Sequence, residues 1–234
     1  MASWMIRASA DPAAAPARLT AFMVAANYYS VVYLAAGVLA VVAAGPSPAT
    51  RLATALAWIY LVPPVLARLV LAARGAPVGR ATVDTPAYRT WWLLTQLQMI
   101  FNRIRVLEEL LRLIPGAYGL WLNLWGSRVS LLAFWSPGVF VTDRYLLDVG
   151  RGAVLGARCH LGAHIVSTSP DGGWELVVAP VTIGAGGVVG ALAAMGPGCV
   201  LDAHQTLPAG RYLGVFTAWR DGRRVPLAER AGWR

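Results

Sequence analysis

The sequence predicts an α+β chain: an N-terminal transmembrane helical hairpin and an interfacial amphipathic helix, followed by a parallel β-helix of hexapeptide repeats. Three observations carry that expectation. Residues 19–44 hold no charge, residues 85–123 set apolar side chains at helical spacing, and an aliphatic residue followed by a small one recurs every sixth position beyond residue 124. The implied division is a tail (1–18), a two-helix anchor (19–84), an amphipathic segment (85–123), a repeat domain (124–210) with a loop at 167–180, and a second tail (211–234).

Composition narrows the function classes first. The chain is 57% hydrophobic and 13% charged, against about 25% charged in an average soluble domain. All 20 basic residues are arginine, which excludes lysine chemistry, and the net charge is +9. Such charge suits nucleic acid or an anionic membrane surface. The arginines lack the interleaved aromatic platform of single-strand binders, so membrane lipid is the expected partner and nucleic acid is not. Two cysteines suggest neither a disulfide framework nor a zinc ribbon.

The uncharged run at 19–44 exceeds the about 20 apolar residues that a bilayer core requires. Residues 52–73 form a second apolar run, interrupted by Pro63, Pro64 and Arg68; neighbouring helices can absorb the prolines and an arginine near a helix end can snorkel. A re-entrant or interfacial helix is the alternative for this run. Only Arg51 sits in the turn, whereas Arg74, Arg80, Arg89, Arg103, Arg105 and Arg112 follow the second run. That bias places both termini and the repeat domain on the cytoplasmic face of the membrane. In the next segment Thr85 and Pro86 make a helix start. Trp91, Leu94, Leu97, Ile100, Ile104, Leu107 and Leu111 then form one stripe. Such a helix either lies in the headgroup plane or packs on the following domain.

A period of six is neither helical nor that of a simple strand; it specifies a parallel β-helix with three hexads to a coil. Val149, Leu155 and Leu161 lead three hexads, and Ile183, Val189, Met195, Leu201 and Leu207 lead a second series. Counting back from Val149 gives Asp143, Pro137, Leu131 and Trp125 as earlier leads, with Val129, Trp135 and Val141 in fifth places. The 22-residue step from Leu161 to Ile183 reads as one coil plus four extra residues, a loop leaving the prism. Cys159 and Cys199 fall in fifth places and read as core filler.

The segment "APVTIGAGGVVGALAAMGPGCVLDAHQTLPAG" resembles the closing coils of the left-handed β-helix hexapeptide acyltransferases, over about residues 124–210. The order of hairpin, amphipathic helix and prism is similar to the membrane-associated C-terminal region of polylysine-synthetase-type peptide synthetases. The first resemblance implies a homotrimer, with acyl-CoA or the phosphopantetheine arm of an acyl carrier protein as co-substrate in a groove between prisms. It implies no tightly bound cofactor and no metal. The second extends the donor to a peptidyl carrier protein. A histidine acts as general base in the acyltransferase family, a role its near-neutral pKa allows.

His164, outward at the foot of the loop, is the expected base, though outward histidines are often plain surface residues. His204, read as two coils above it on the same face, is an expected donor contact, and His160 is structural. Ser169 falls where many relatives carry the catalytic histidine and is an expected loop contact. Gly184, Gly186 and Gly187 look like donor-facing residues whose amides meet pantetheine; the alternative is that coil corners need small residues. Three functions follow: a membrane-anchored acyltransferase acting on a hydroxyl or amine, a non-catalytic trimeric scaffold, or a zinc carbonic anhydrase of this fold. The histidine spacing disfavours the last.

Overall fold

The computed structural model describes residues 20–168 and 173–228. The first apolar run forms α1 (Ala21–Ala26) and α2 (Tyr29–Ala43), separated at Asn27 and Tyr28. The second forms α3 (Pro48–Arg74). α2 and α3 pack on each other around a reciprocal pair of bonds: the Tyr33 hydroxyl donates to the Trp58 carbonyl (2.7 Å), and the Trp58 indole to the Tyr33 carbonyl (3.1 Å). Gly37 makes this approach possible, since a Cβ there would lie 2.7 Å from the indole nitrogen.

Pro63 and Pro64 do not break α3. Proline at 64 deprives the Tyr60 carbonyl of its i+4 donor. The Trp121 indole supplies one instead, at 2.9 Å. Trp121→Phe is therefore expected to strand that carbonyl and cost about 1–3 kcal/mol. Thermal unfolding in detergent measures it; a midpoint equal to wild type would show the carbonyl to be satisfied otherwise.

The amphipathic segment forms α4 (Pro86–Arg103), α5 (Val106–Arg112) and α6 (Ala117–Trp125). Thr85 caps α4 as expected, its hydroxyl accepting from the Tyr88 amide. The stripe does not lie open: Trp91, Leu94, Leu97 and Ile100 are buried, whereas Ile104 ends α4 and is exposed. The following domain covers this layer on one side and α1–α3 cover it on the other.

The repeat domain is a three-sided stack of parallel strands. The first face stacks Arg128–Val129, Leu147–Val149, Val181–Ile183, Val200–Leu201 and Thr217–Arg220. The second stacks Phe134–Trp135, Val154–Leu155, Val188–Val189 and Thr206–Leu207. The third stacks Phe140–Val141, His160–Leu161, Ala194–Met195 and Tyr212–Leu213. The hexad leads from Val149 to Leu207 are 2% exposed or less.

Three details of the register differ from the expectation. In the first coil the interior residues are Val129, Trp135 and Val141, in register with Val149, Leu155 and Leu161. Leu131 is exposed instead. The phase slips by two residues at the corner between Val141 and Leu147, where the buried Asp143 and Arg144 demand room for their partners. Second, Val149 pairs directly with Ile183, so a single corner separates Leu161 from Ile183. The whole surplus leaves the prism as an antiparallel hairpin, His164–Thr168 with Trp174–Val178, beginning earlier than the expected loop. Gly79–Thr82, in the linker after α3, adds a third strand to it. Third, stacking continues past residue 210, because Leu213 and Trp219 keep the step of six, and Arg223–Pro226 folds back on Thr217–Arg220.

Candidate functional site

His164 stands at the corner after the third face, at the first residue of the hairpin. Its Nδ1 lies 2.7 and 2.9 Å from the two carboxylate oxygens of Asp143. Asp143 is buried at the shifted corner, and its Oδ2 also accepts from the Ala163 amide (2.9 Å) and the Thr142 hydroxyl (2.8 Å). Burial acts to raise the Asp143 pKa, but the charge and hydrogen bond of His164, with Thr142 and Ala163, outweigh it and hold the carboxyl below its usual value. An ionised carboxylate only accepts, so Nδ1 carries the proton and Nε2 is the basic nitrogen when the ring is neutral. Burial acts to lower His164; the Asp143 charge and hydrogen bond prevail and lift it above the ordinary histidine value. The ring packs edge-to-face on Trp91 of α4 (centroids 4.9 Å) and the side chain remains 23% exposed. A held, partly accessible imidazole is what general-base chemistry requires.

His160 is next to this corner, on the outside of the third face. It stacks on Phe140 at 5.1 Å, and the Arg105 guanidinium covers the same phenyl ring at 4.3 Å. Burial, with the charges of His164 and Arg105, lowers its pKa against the pull of Asp143.

His204 is not beside His164. Leu201 belongs to the first face and Leu161 to the third, so the two histidines follow different faces. The misplacement traces to counting a full coil between Leu161 and Ile183. His204 takes a left-handed conformation (φ 57°) and lies over Gly186, where a Cβ would come within 2.6 Å of its Nδ1.

The glycine amides are also differently employed. Gly184 donates to the Leu201 carbonyl, Gly186 to Arg151 and Gly187 to Gly184. None of the three is left to meet a pantetheine arm, and the steric reading prevails: a Cβ on Gly184 would lie 2.4 Å from the Ala203 amide nitrogen. Ser169 lies outside the described residues. Cys159 and Cys199 are buried and free, and burial pushes their thiols up to about 12 and about 11. Among the described residues no three His, Cys, Asp or Glu side chains converge as metal ligands.

Sequence reasoning missed Asp143, Thr142 and Trp91 as parts of this corner. A carboxylate in a place otherwise held by aliphatic residues was the available signal, since a buried charge needs a partner.

The chain matches no family model and no curated protein. Among solved structures it is similar to a maltose O-acetyltransferase from Clostridium difficile 630, at 13% identity over 55% of this chain and 86% of that one, with a TM-score of 0.32. It is also similar to serine acetyltransferase isoform 3 from Entamoeba histolytica, at 12% identity over 83% and 68% of the two chains (TM-score 0.20). Serine acetyltransferase 1 of the same organism gives 14% identity over 80% and 72%, with a TM-score of 0.22.

Proposed function

We propose that the chain is a membrane-attached acyltransferase that moves an acyl group from acyl-CoA or an acyl carrier protein to a hydroxyl or amine. The observation that supports this most is the His164–Asp143 pair at a partly exposed corner of the prism. The coil is read as left-handed and the working unit as a homotrimer, after the family that the hexads resemble. Prism and both termini are assigned to the cytoplasmic side, from the arginine bias.

In this reading His164 Nε2 takes the proton of the acceptor O–H or N–H as the acceptor attacks the thioester carbonyl. The tetrahedral intermediate collapses, the C–S bond breaks, and the imidazolium returns its proton to the departing thiolate. Asp143 holds the tautomer and stabilises the transient imidazolium, so it positions the base and does not itself react.

Thiol release from acyl-CoA and from acylated carrier protein, with the purified protein in detergent, tests the proposal. Wild-type activity should rise with pH through the raised His164 pKa, because only the neutral ring accepts a proton. Asp143→Asn removes the charge that raises it, so the midpoint should move to lower pH while the plateau falls. A fallen plateau with an unmoved midpoint would mean that another group titrates.

A further inference from the structure

The two arms of the hairpin, residues 21–43 (α1 and α2) and 48–74 (α3), are each long and apolar enough to cross a bilayer, yet their packing turns them across the prism axis. α6 meets one coil along its length: Gly116 faces Leu131, Tyr118 packs on Trp135 at 4.8 Å, and Asn123 bonds both the amide and the carbonyl of Val129 (2.7 and 2.9 Å). All three partners lie in the first coil, so α6 runs along a coil and therefore across the prism axis. α3 follows α6, with Tyr60 at Trp121 and, further along, Arg68 and Leu71 against Gly126.

α4 is likewise held between two layers. On one side Trp92 and Gln96 bond to Asn27 (3.2 and 3.0 Å); on the other Gln98 and Asn102 bond to Arg144 (2.7 and 2.9 Å). The order is prism, then α4–α6, then α1–α3. If α3 stood across a hydrocarbon core about 30 Å thick, the first coil would be held at membrane depth beside it. That coil carries Arg128, 83% exposed and ion-paired to Asp148 of the next coil, and α4 ends in the exposed Arg103. Charges at that depth are costly.

Resting on the membrane attachment proposed above, we infer that the hairpin lies flat in one leaflet of an anionic bilayer and does not cross it. A helix about 10 Å in diameter fits within one leaflet. The face of the hairpin turned away from α4–α6 is apolar, with Val31, Val32, Leu39, Leu61, Val65 and Leu69 each more than 45% exposed. Arginines edge it. Arg51, in the first turn of α3, donates to the Gly45 carbonyl at 2.7 Å, and Arg74 and Arg89 line a cavity of about 550 Å³ beside Phe22. Such a rim suits the phosphates of anionic lipids.

Nitroxide labels on Val31→Cys, Leu39→Cys, Leu61→Cys, Leu69→Cys and Ser47→Cys, in phosphatidylcholine–phosphatidylglycerol vesicles, report depth through relaxation by oxygen against a water-soluble nickel chelate. All substituted side chains are on the outer face or in the turn, so the fold should tolerate them. The flat arrangement predicts one shared depth for the four helix positions, within a single leaflet. Depth that is greatest in mid-helix, with Ser47→Cys reachable from the far side, would overturn it. So would four water-exposed labels. Neither result bears on thiol release, so this inference and the enzymatic reading fail separately.

Discussion

His164→Ala is expected to lower thioester turnover by about 10²–10⁴-fold, the usual scale of a lost general base. The expectation rests on Asp143 fixing Nδ1 and leaving Nε2 for the acceptor. Alanine also leaves the buried Asp143, among the described residues, with the Thr142 hydroxyl and the Ala163 amide as hydrogen-bond partners, so part of any loss reflects a weakened corner. His164→Asn separates the two effects, because its amide restores an N–H toward Asp143 but supplies no base. Loss common to both variants is chemical. His204→Ala should change turnover little, since that side chain lies over Gly186 after a different face. Turnover in His164→Asn equal to wild type would remove His164 as the base. Absence of thiol release by the wild type from any CoA or carrier-protein donor would overturn the enzymatic reading in favour of the scaffold considered from the sequence.

The parts of this fold that were legible are those where one physical demand dominates. A prism interior takes one aliphatic side chain per six residues, so the leads from Val149 to Leu207 show the period plainly, and all of them are buried. The first coil misled because apolar residues occupy both available phases: Val129 competes with Leu131, and Trp135 with Pro137. What decided between them was the pair Asp143 and Arg144, whose partners lie far off in sequence, on α4, α5 and the hairpin. The same distance hid the site. His164 was readable as a base at the foot of an excursion, but nothing local tied it to a carboxylate 21 residues earlier. The amphipathic stripe was readable too. That a second layer covers α4 from the other side depends on bonds such as Trp92 and Gln96 to Asn27, which no periodicity announces.

The largest expected loss of stability is for Arg144→Ala. This guanidinium is fully buried, and its Nε donates to Glu108 Oε1 at 2.6 Å. Nη1 reaches Asn102, and the ring of Phe101 lies 5.6 Å from the guanidinium carbon. Alanine would leave Glu108, itself 2% exposed, with Arg112 at 3.3 Å as its remaining cation. Breaking a buried pair from one side typically costs about 3–5 kcal/mol, because the other charge stays behind without its partner. For a chain of this size that is a fall in melting temperature of about 10 °C. The reverse side of the argument is testable as well. Arg144→Met with Glu108→Leu removes both charges and keeps apolar volume, and Arg112 retains Glu109. The double variant should therefore be more stable than Arg144→Ala alone, since exchange of a buried ion pair for apolar residues is often neutral or favourable. If Arg144→Ala melts with wild type, the network does not join the helical layer to the prism. If the double variant is no better than the single one, the loss lies in the lost bonds to Asn102 and Gln98 and not in a stranded charge.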